Sequence, residues 1–250
     1  MVLIGKWRNF EKIGKNKYML HIHKSHIHHK GKHQQFWEHF ISYLPENAYF
    51  TDKNTKITFS AEKIQTLEVF KKSQESLLSY HNCFSFFKQI GKQILALEVS
   101  GISIPYFAIS DFVVIDDKYF LFMNIDKLFP INDNNKIRID TPFDKDIYRF
   151  FSPELKIIDT IPSEIYFTSG LFSLAKLTIF LLTNEVKITE EIKKKGLFWN
   201  QINEEVVGDD DDDGVCCEIL LLESIFHTKL YWALKRCLYK KPKKRFFLII

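Results

Sequence analysis

The stretch Phe150–Leu182, FFSPELKIIDTIPSEIYFTSGLFSLAKLTIFLL, constrains the rest of the chain most strongly. It opens on Ser152, Pro153 and Glu154 and closes on the apolar run Leu171–Leu182, interrupted only by Ser173, Lys176 and Thr178. That run is too long for an ordinary strand and predicts a buried helix. Between the two lies a polar segment carrying Pro162. A carboxylate in the loop that feeds such a helix needs a cationic partner, because an unpaired buried charge is too costly to keep.

A chain of 250 residues suits one large domain or two lobes sharing a cleft. Hydrophobic residues at 46% and charged residues at 26% describe ordinary globular composition, and 24 Phe supply material for a substantial core. Only 9 Gly and 7 Pro argue against a sandwich of many tight turns and against a glycine-rich dinucleotide fold. The net charge of +4 permits acidic partners without demanding nucleic acid. Cys83, Cys216, Cys217 and Cys237 form no C-x-x-C pair, and the adjacent Cys216-Cys217 is a poor metal spacing, so reduced thiols in an intracellular protein are the expectation. The opening MVLIGKWRNF lacks the apolar core of a signal peptide. Leu171–Leu182 falls short of the roughly 20 residues that span a bilayer. The expected protein is soluble and intracellular, with no membrane partner.

Along the chain, Lys6–Ile13 and Tyr18–His23 predict an antiparallel pair around Gly14–Lys17. His21, His23, His26, His28, His29 and His33, with His39 just after, raise a metal site. With no nearby Cys and few carboxylates, a solvated loop is the preferred reading and no metal is assigned. Gln34–Tyr43 predicts a short helix, from Phe36, Phe40 and Tyr43. Ala48–Thr51 and Lys56–Ala61 predict a hairpin, and Glu62–Gln65 a connector. Helices are predicted over Thr66–Ser73 and Cys83–Ser100, the second with Phe84, Phe87, Ile90, Ile94 and Leu97 on one core-facing side and Gly101 as its stop. Phe112–Ile115 and Tyr119–Met123 predict a hairpin around Asp116-Asp117-Lys118, and Asn132–Asp146 reads as a polar loop. Thr189–Lys195, Cys216–Phe226 and Lys229–Tyr239 predict further helices. Asp209–Asp213 form a solvated acidic loop whose spacing is not that of an EF-hand.

This order resembles a protein kinase. Ser152-Pro153-Glu154 resembles the Ala-Pro-Glu that ends a kinase activation segment, and Phe172-Ser173-Leu174-Ala175 resembles the Trp-Ser-Leu-Gly of the central kinase helix. Arg236-Cys237-Leu238 followed by Lys241-Pro242-Lys243-Lys244-Arg245 resembles the closing Arg-Cys-Leu and Asp-Pro-x-x-Arg. The resemblance covers residues 62–250 by motif and residues 1–61 by order of elements. The Phe- and Lys-rich style also resembles kinase-like proteins of large DNA viruses. The implied fold is α+β and bilobal: a reduced β-rich N-lobe over 1–61, a hinge over 62–65 and a mainly helical C-lobe over 66–250. The resemblance also pairs Glu154 with Arg245, which supplies the cation the opening stretch requires.

The catalytic positions depart from the pattern. With the hairpin laid on its kinase counterpart, the base position of His-Arg-Asp falls on Tyr106, and a neutral phenol with a pKa of about 10 is a poor proton acceptor near neutral pH. The magnesium ligands are exchanged, Asp111 standing for Asn and Asn124 for Asp. One carboxylate and one amide oxygen remain, so weak ATP and magnesium binding is the most this set implies. The preferred role of Asp111 is to cap or order its loop. A slip of one or two residues places Asp126 at the metal position instead. Gly14 is the only glycine between Gly5 and Gly31, too few for a loop wrapping phosphates. No Val-Ala-Ile-Lys-like strand stands out; Lys24 is a candidate for the lysine of the kinase ion pair and Glu38 for its partner, and a solvated face is the preferred reading of Glu38. Gly170 stands where a kinase has the Asp that braces the catalytic loop, which predicts a loop no longer held for catalysis.

The implied function is a degenerate, catalytically inactive kinase-like protein acting as a protein-binding or regulatory module. An active ATP- and magnesium-dependent Ser/Thr kinase of unusual design is the alternative. A nucleic-acid-binding module built on Lys240–Arg245 with Tyr239 and Phe246 is the least favoured. The expected location is the cytoplasm, or host cytoplasm or virion for a viral chain.

Overall fold

A computed structural model describes residues 10–21, 32–45, 47–51, 55–75, 77–143, 149–184 and 215–250. Most of the histidine-rich stretch, Lys24, the predicted helix over 189–195 and the acidic run 209–213 lie outside the described residues. The elements mix helices and strands, an α+β fold, and the chain forms two compact units. The first holds Met1–Ser103 and Ala108–Pro130, the second Ile104–Phe107 and Ile131–Ile250.

In the first unit, β1 (Phe10–Lys12), β2 (Lys17–His21), β3 (Tyr49–Thr51) and β4 (Lys56–Ser60) form an antiparallel sheet in the order β1-β2-β4-β3. Alternation sets its buried face: Tyr18 pairs with Phe59 and Leu20 with Ile57, and all four are buried. Helix α1 (Lys32–Ile41) buries Phe36, Trp37 and Phe40.

The predicted connector at 62–65 instead runs into a strand, β5 (Ile64–Thr66), paired with β7 (Phe112–Ile115) in a sheet completed by β8 (Tyr119–Phe122). The cause lies in the β7–β8 turn, where Asp116 and Asp117 adopt φ of 52° and 53°. Asp116 Oδ1 accepts from the backbone N–H groups of Glu62 and Lys63 at 2.7 and 2.9 Å, fixing the entry to β5. Thr66 then caps α2 (Leu67–Ser73), accepting from Val69 N at 3.2 Å.

Helix α3 (Tyr80–Val99) begins three residues before the predicted start because Ser79 caps it, accepting from Asn82 N at 3.2 Å. It stops at Gly101, whose φ of +70° favours glycine, and the chain passes into β6 (Ile102–Ser103), which pairs antiparallel with β9 (Phe129–Pro130). Phe87, Ile90, Ile94 and Leu97 are buried as expected, but Cys83 and Phe86 take the place of the half-buried Phe84. Two glutamines one turn apart on α3 pair with the edge of β8. Gln89 donates to Lys118 O at 3.0 Å and accepts from Phe120 N at 2.9 Å; Gln93 donates to Phe120 O at 2.8 Å and accepts from Phe122 N at 3.1 Å. The side-chain amides thus complete hydrogen bonds that a further strand would otherwise supply.

In the second unit, β10 (Lys136–Ile139) pairs antiparallel with β11 (Ser163–Tyr166). The region predicted as a polar loop over 132–146 therefore contains a strand. Ile137 and Ile139 are its buried residues, alternating with Lys136 and Arg138. Helix α4 (Pro153–Lys156) is a single turn with Pro at its start. Helix α5 (Ser169–Thr183) is buried continuously from Ser169 to Leu181 and ends at Asn184 with φ of 61°. Cys217–Ile225 is 3-10 rather than α-helical, broken at Leu222, where φ is −103° and ψ 19°. Helix α6 (Lys229–Cys237) is capped by Thr228, which accepts from Tyr231 N at 3.2 Å. Among the described residues no helix is long and apolar enough to cross a membrane. Cys83, Cys216 and Cys237 form no disulfide, and burial pushes the Cys83 thiol up to about 12.

Replacing Gln93 by Leu keeps the volume but leaves Phe120 O and Phe122 N without their side-chain partner. Each such loss costs about 1–3 kcal/mol, so chemical denaturation should report a loss of about 2–6 kcal/mol. The Glu98 carboxyl provides a pH test: burial raises it from 4.5 to about 7, and its Oε1 has no hydrogen-bond partner. Stability tied to its neutral form is fully present below pH 4.5 and is lost as pH rises through about 7. Glu98→Gln should raise the melting temperature at pH 8 and leave it unchanged at pH 4.

Candidate functional site

Asp111 ends a 3-10 turn (Ile109–Asp111) and leads into β7, while β8 runs out through Met123 into a second turn, Ile125–Lys127. Met123 N donates to Asp111 O at 2.8 Å, closing the mouth of the hairpin. The pairing of β7 with β8 therefore brings Asp111 and Asn124 together across thirteen residues of sequence. Asp111 is 2% exposed. Its Oδ1 accepts from Asn124 Nδ2 at 2.7 Å, and its Oδ2 accepts from Ala108 N at 2.7 Å and Lys127 Nζ at 2.5 Å. The Lys127 side chain is only 10% exposed.

This cluster holds a carboxylate, an amide, a main-chain N–H and an ammonium. A divalent metal needs several oxygen ligands around it. Here a fixed internal cation already lies against the carboxylate, and the Asn124 amide presents its nitrogen to Asp111. Asp126, the other metal candidate, is exposed in the neighbouring turn. Among the described residues there is no group of three or more His, Cys, Asp or Glu that could hold a metal ion. Lys127 was not singled out in the sequence. Its role depends on the turn that folds it back towards Asp111, sixteen residues away, and no motif marks that turn.

Tyr106 belongs to the segment Ile104–Phe107 of the second unit. It is half-buried, with ring centroids 5.4 Å from Phe143 and 4.9 Å from Phe151. Gly170, where the kinase resemblance has the bracing Asp, packs helix α5 directly against this segment. A Cβ on Gly170 would lie 1.9 Å from Ile104 O, so glycine permits a close approach of helix α5 to the segment. One turn on, Ser173 Oγ accepts from Phe107 N at 2.8 Å. A hydroxyl and direct backbone packing hold the segment where the kinase resemblance supplies a carboxylate.

Glu154 and Arg245 meet in the same unit. Arg245 donates from both terminal nitrogens, to Oε1 at 2.5 Å and Oε2 at 2.9 Å. Its Nε donates to Tyr239 O at 2.7 Å and Nη2 to Lys240 O at 2.8 Å, and the guanidinium lies 4.8 Å from the Phe172 ring centroid. The Arg245 side chain is wholly buried, that of Glu154 16% exposed. The fork thus ties α4, the C-terminal segment and α5 at one point. Ser152 and Ser169 share a further buried hydrogen bond of 2.7 Å.

The remaining sequence candidates are dispersed. Glu38 is exposed on α1. His21 pairs with Glu11 at 2.9 Å, and His39 Nε2 bonds Ser100 Oγ at 3.2 Å. Compared with known protein families and with characterised proteins, the chain matches no family model and no curated relative.

Removing one partner of a buried ion pair leaves the other charge uncompensated and costs about 3–5 kcal/mol. Glu154→Ala and Arg245→Ala should each lower stability by about that amount in urea denaturation. The double variant should lose less than the sum of the two, because neither charge is then left unpaired.

Proposed function

We propose that the chain is a catalytically inactive, kinase-like protein, a pseudokinase, which works as a protein-binding or regulatory module. The observation that carries this reading is the saturation of Asp111 by Lys127, Asn124 and Ala108. Phosphoryl transfer relies on metal ions to bridge the phosphate oxygens and on a base to orient the nucleophile. In this chain the carboxylate that would hold the metal is committed to a lysine, and a tyrosine packed against Phe143 and Phe151 stands at the base position. The kinase elements on which the proposal draws are the structural ones: the Glu154–Arg245 fork and the central helix α5. Neither requires nucleotide, so a fold of this kind persists without chemistry. The proposed setting is the cytoplasm, that of the host for a viral chain.

Thermal denaturation of the full chain with magnesium and ATP tests the proposal. The expected outcome is an unchanged melting temperature and no phosphate transferred to itself or to a generic protein substrate. A rise of several degrees that Asp111→Ala abolishes, accompanied by phosphotransfer, would establish the active-kinase alternative instead. Binding of a fluorescent ATP analogue, measured well below the melting temperature of each variant, separates loss of ligand from loss of fold.

A further inference from the structure

Charge is distributed very unevenly along this chain. Thr228–Ile250 contains eight of its 35 Lys and Arg and none of its 31 Asp and Glu. Arg245 is buried on Glu154. The other seven, Lys229, Lys235, Arg236, Lys240, Lys241, Lys243 and Lys244, are exposed or half-exposed. Helix α6 turns Leu230, Tyr231, Ala233, Leu234 and Cys237 into the core and leaves Lys229, Trp232 and Arg236 outside at helical spacing.

Large apolar side chains are exposed beside these cations. Trp232 is 38% exposed, Phe246 46%, Leu248 37% and Ile249 69%. Lys235 Nζ lies 5.0 Å from the Trp232 ring centroid, and the Arg236 guanidinium lies 5.2 Å from that of Phe246. Arg236 also donates to Tyr239 Oη at 3.3 Å. Lys235 thus lies against Trp232, and Arg236 against Tyr239 and Phe246.

The geometry points to this face, α6 with the C-terminal segment, as a peripheral docking surface for an anionic lipid bilayer. Anionic headgroups complement the seven cations. The acyl–headgroup boundary accepts the amphipathic indole of Trp232 and the apolar ends of Phe246, Leu248 and Ile249. A single-stranded nucleic acid would satisfy the cations and stack on the rings, but it offers nothing to an exposed leucine and isoleucine. The mode is peripheral and needs no spanning helix. It is independent of the kinase-like reading, since it uses neither Asp111 nor Tyr106. The sequence reading, which assigned no membrane partner, saw the basic tail but not the exposure of Trp232, Leu248 and Ile249 beside it.

Co-sedimentation of the full chain with vesicles tests the proposal, using phosphatidylcholine alone and phosphatidylcholine with phosphatidylserine. The chain should pellet with the anionic vesicles and not with the neutral ones, and raising the salt should weaken binding. Lys240→Glu with Lys241→Glu should reduce the partition coefficient by about tenfold or more. Trp232→Ala, and separately Leu248→Ser with Ile249→Ser, should each reduce it severalfold while leaving the thermal melt unchanged. Equal binding to both vesicles, or none to the anionic ones, overturns the proposal. So does tight binding to a single-stranded oligonucleotide that is indifferent to Leu248→Ser with Ile249→Ser, which would identify a nucleic-acid surface.

Discussion

A carboxylate withdrawn from water must find its counter-charge and its hydrogen-bond donors inside the protein. Glu154 and Asp111, one in each compact unit, resolve this differently from one another and from Glu98, whose carboxyl burial pushes towards its neutral form. Glu154 meets a guanidinium whose planar fork matches both of its oxygens, with the remaining donors used on Tyr239 and Lys240 carbonyls. Asp111 meets an ammonium, which is a point charge with no preferred plane, and needs the Asn124 amide and the Ala108 N–H to complete its shell. The first solution ties helices together. The second closes a hairpin and engages the one carboxylate among the exchanged metal positions that is buried.

The same accounting of donors and acceptors explains several features that are not ion pairs. The edge of β8 is satisfied by Gln89 and Gln93. The entry to β5 is held by the Asp116 carboxylate, and the segment carrying Tyr106 by Ser173. In each case a polar side chain from one element completes the backbone of another. Phenylalanine fills the space between: Phe86 lies 5.1 Å from Phe112 and 5.6 Å from Phe120, and Phe36 lies 6.3 Å from Phe122. These edge-to-face contacts suit a core built from many rings.

What the sequence made legible follows from how local each signal is. Helix α5 was readable because its apolar run exceeds the length of a strand, and the β1–β2, β3–β4 and β7–β8 hairpins because their partners are adjacent. The strand β10 was missed because its partner β11 lies beyond an intervening stretch that contains α4, and because four residues, Lys136–Ile139, are too few to stand out in a polar segment. The start of α3 is not legible in apolar spacing, because Ser79 sets it through its cap. At the site, the resemblance to kinases set Asp111 and Asn124 together, through the interval between its two metal positions. Lys127 was not legible, because a short 3-10 turn, rather than a motif, delivers it to the carboxylate. The Glu154–Arg245 pair came from the resemblance to kinases, since nothing local connects residues 91 apart.

Asp111 thus stands between two roles, a ligand for a metal and a fixed part of the fold, and its three internal donors favour the second. Paramagnetic broadening by Mn²⁺, read on the backbone amides of the full chain with ATP present, distinguishes them most directly. With the Lys127 ammonium held against the carboxylate, the amide signals of Asp111, Asn124 and Lys127 keep their line widths at substoichiometric Mn²⁺. Selective broadening of those three signals, with the rest of the spectrum unchanged, would mean that the carboxylate still takes a metal, and would contradict the assignment of Asp111 to the fold.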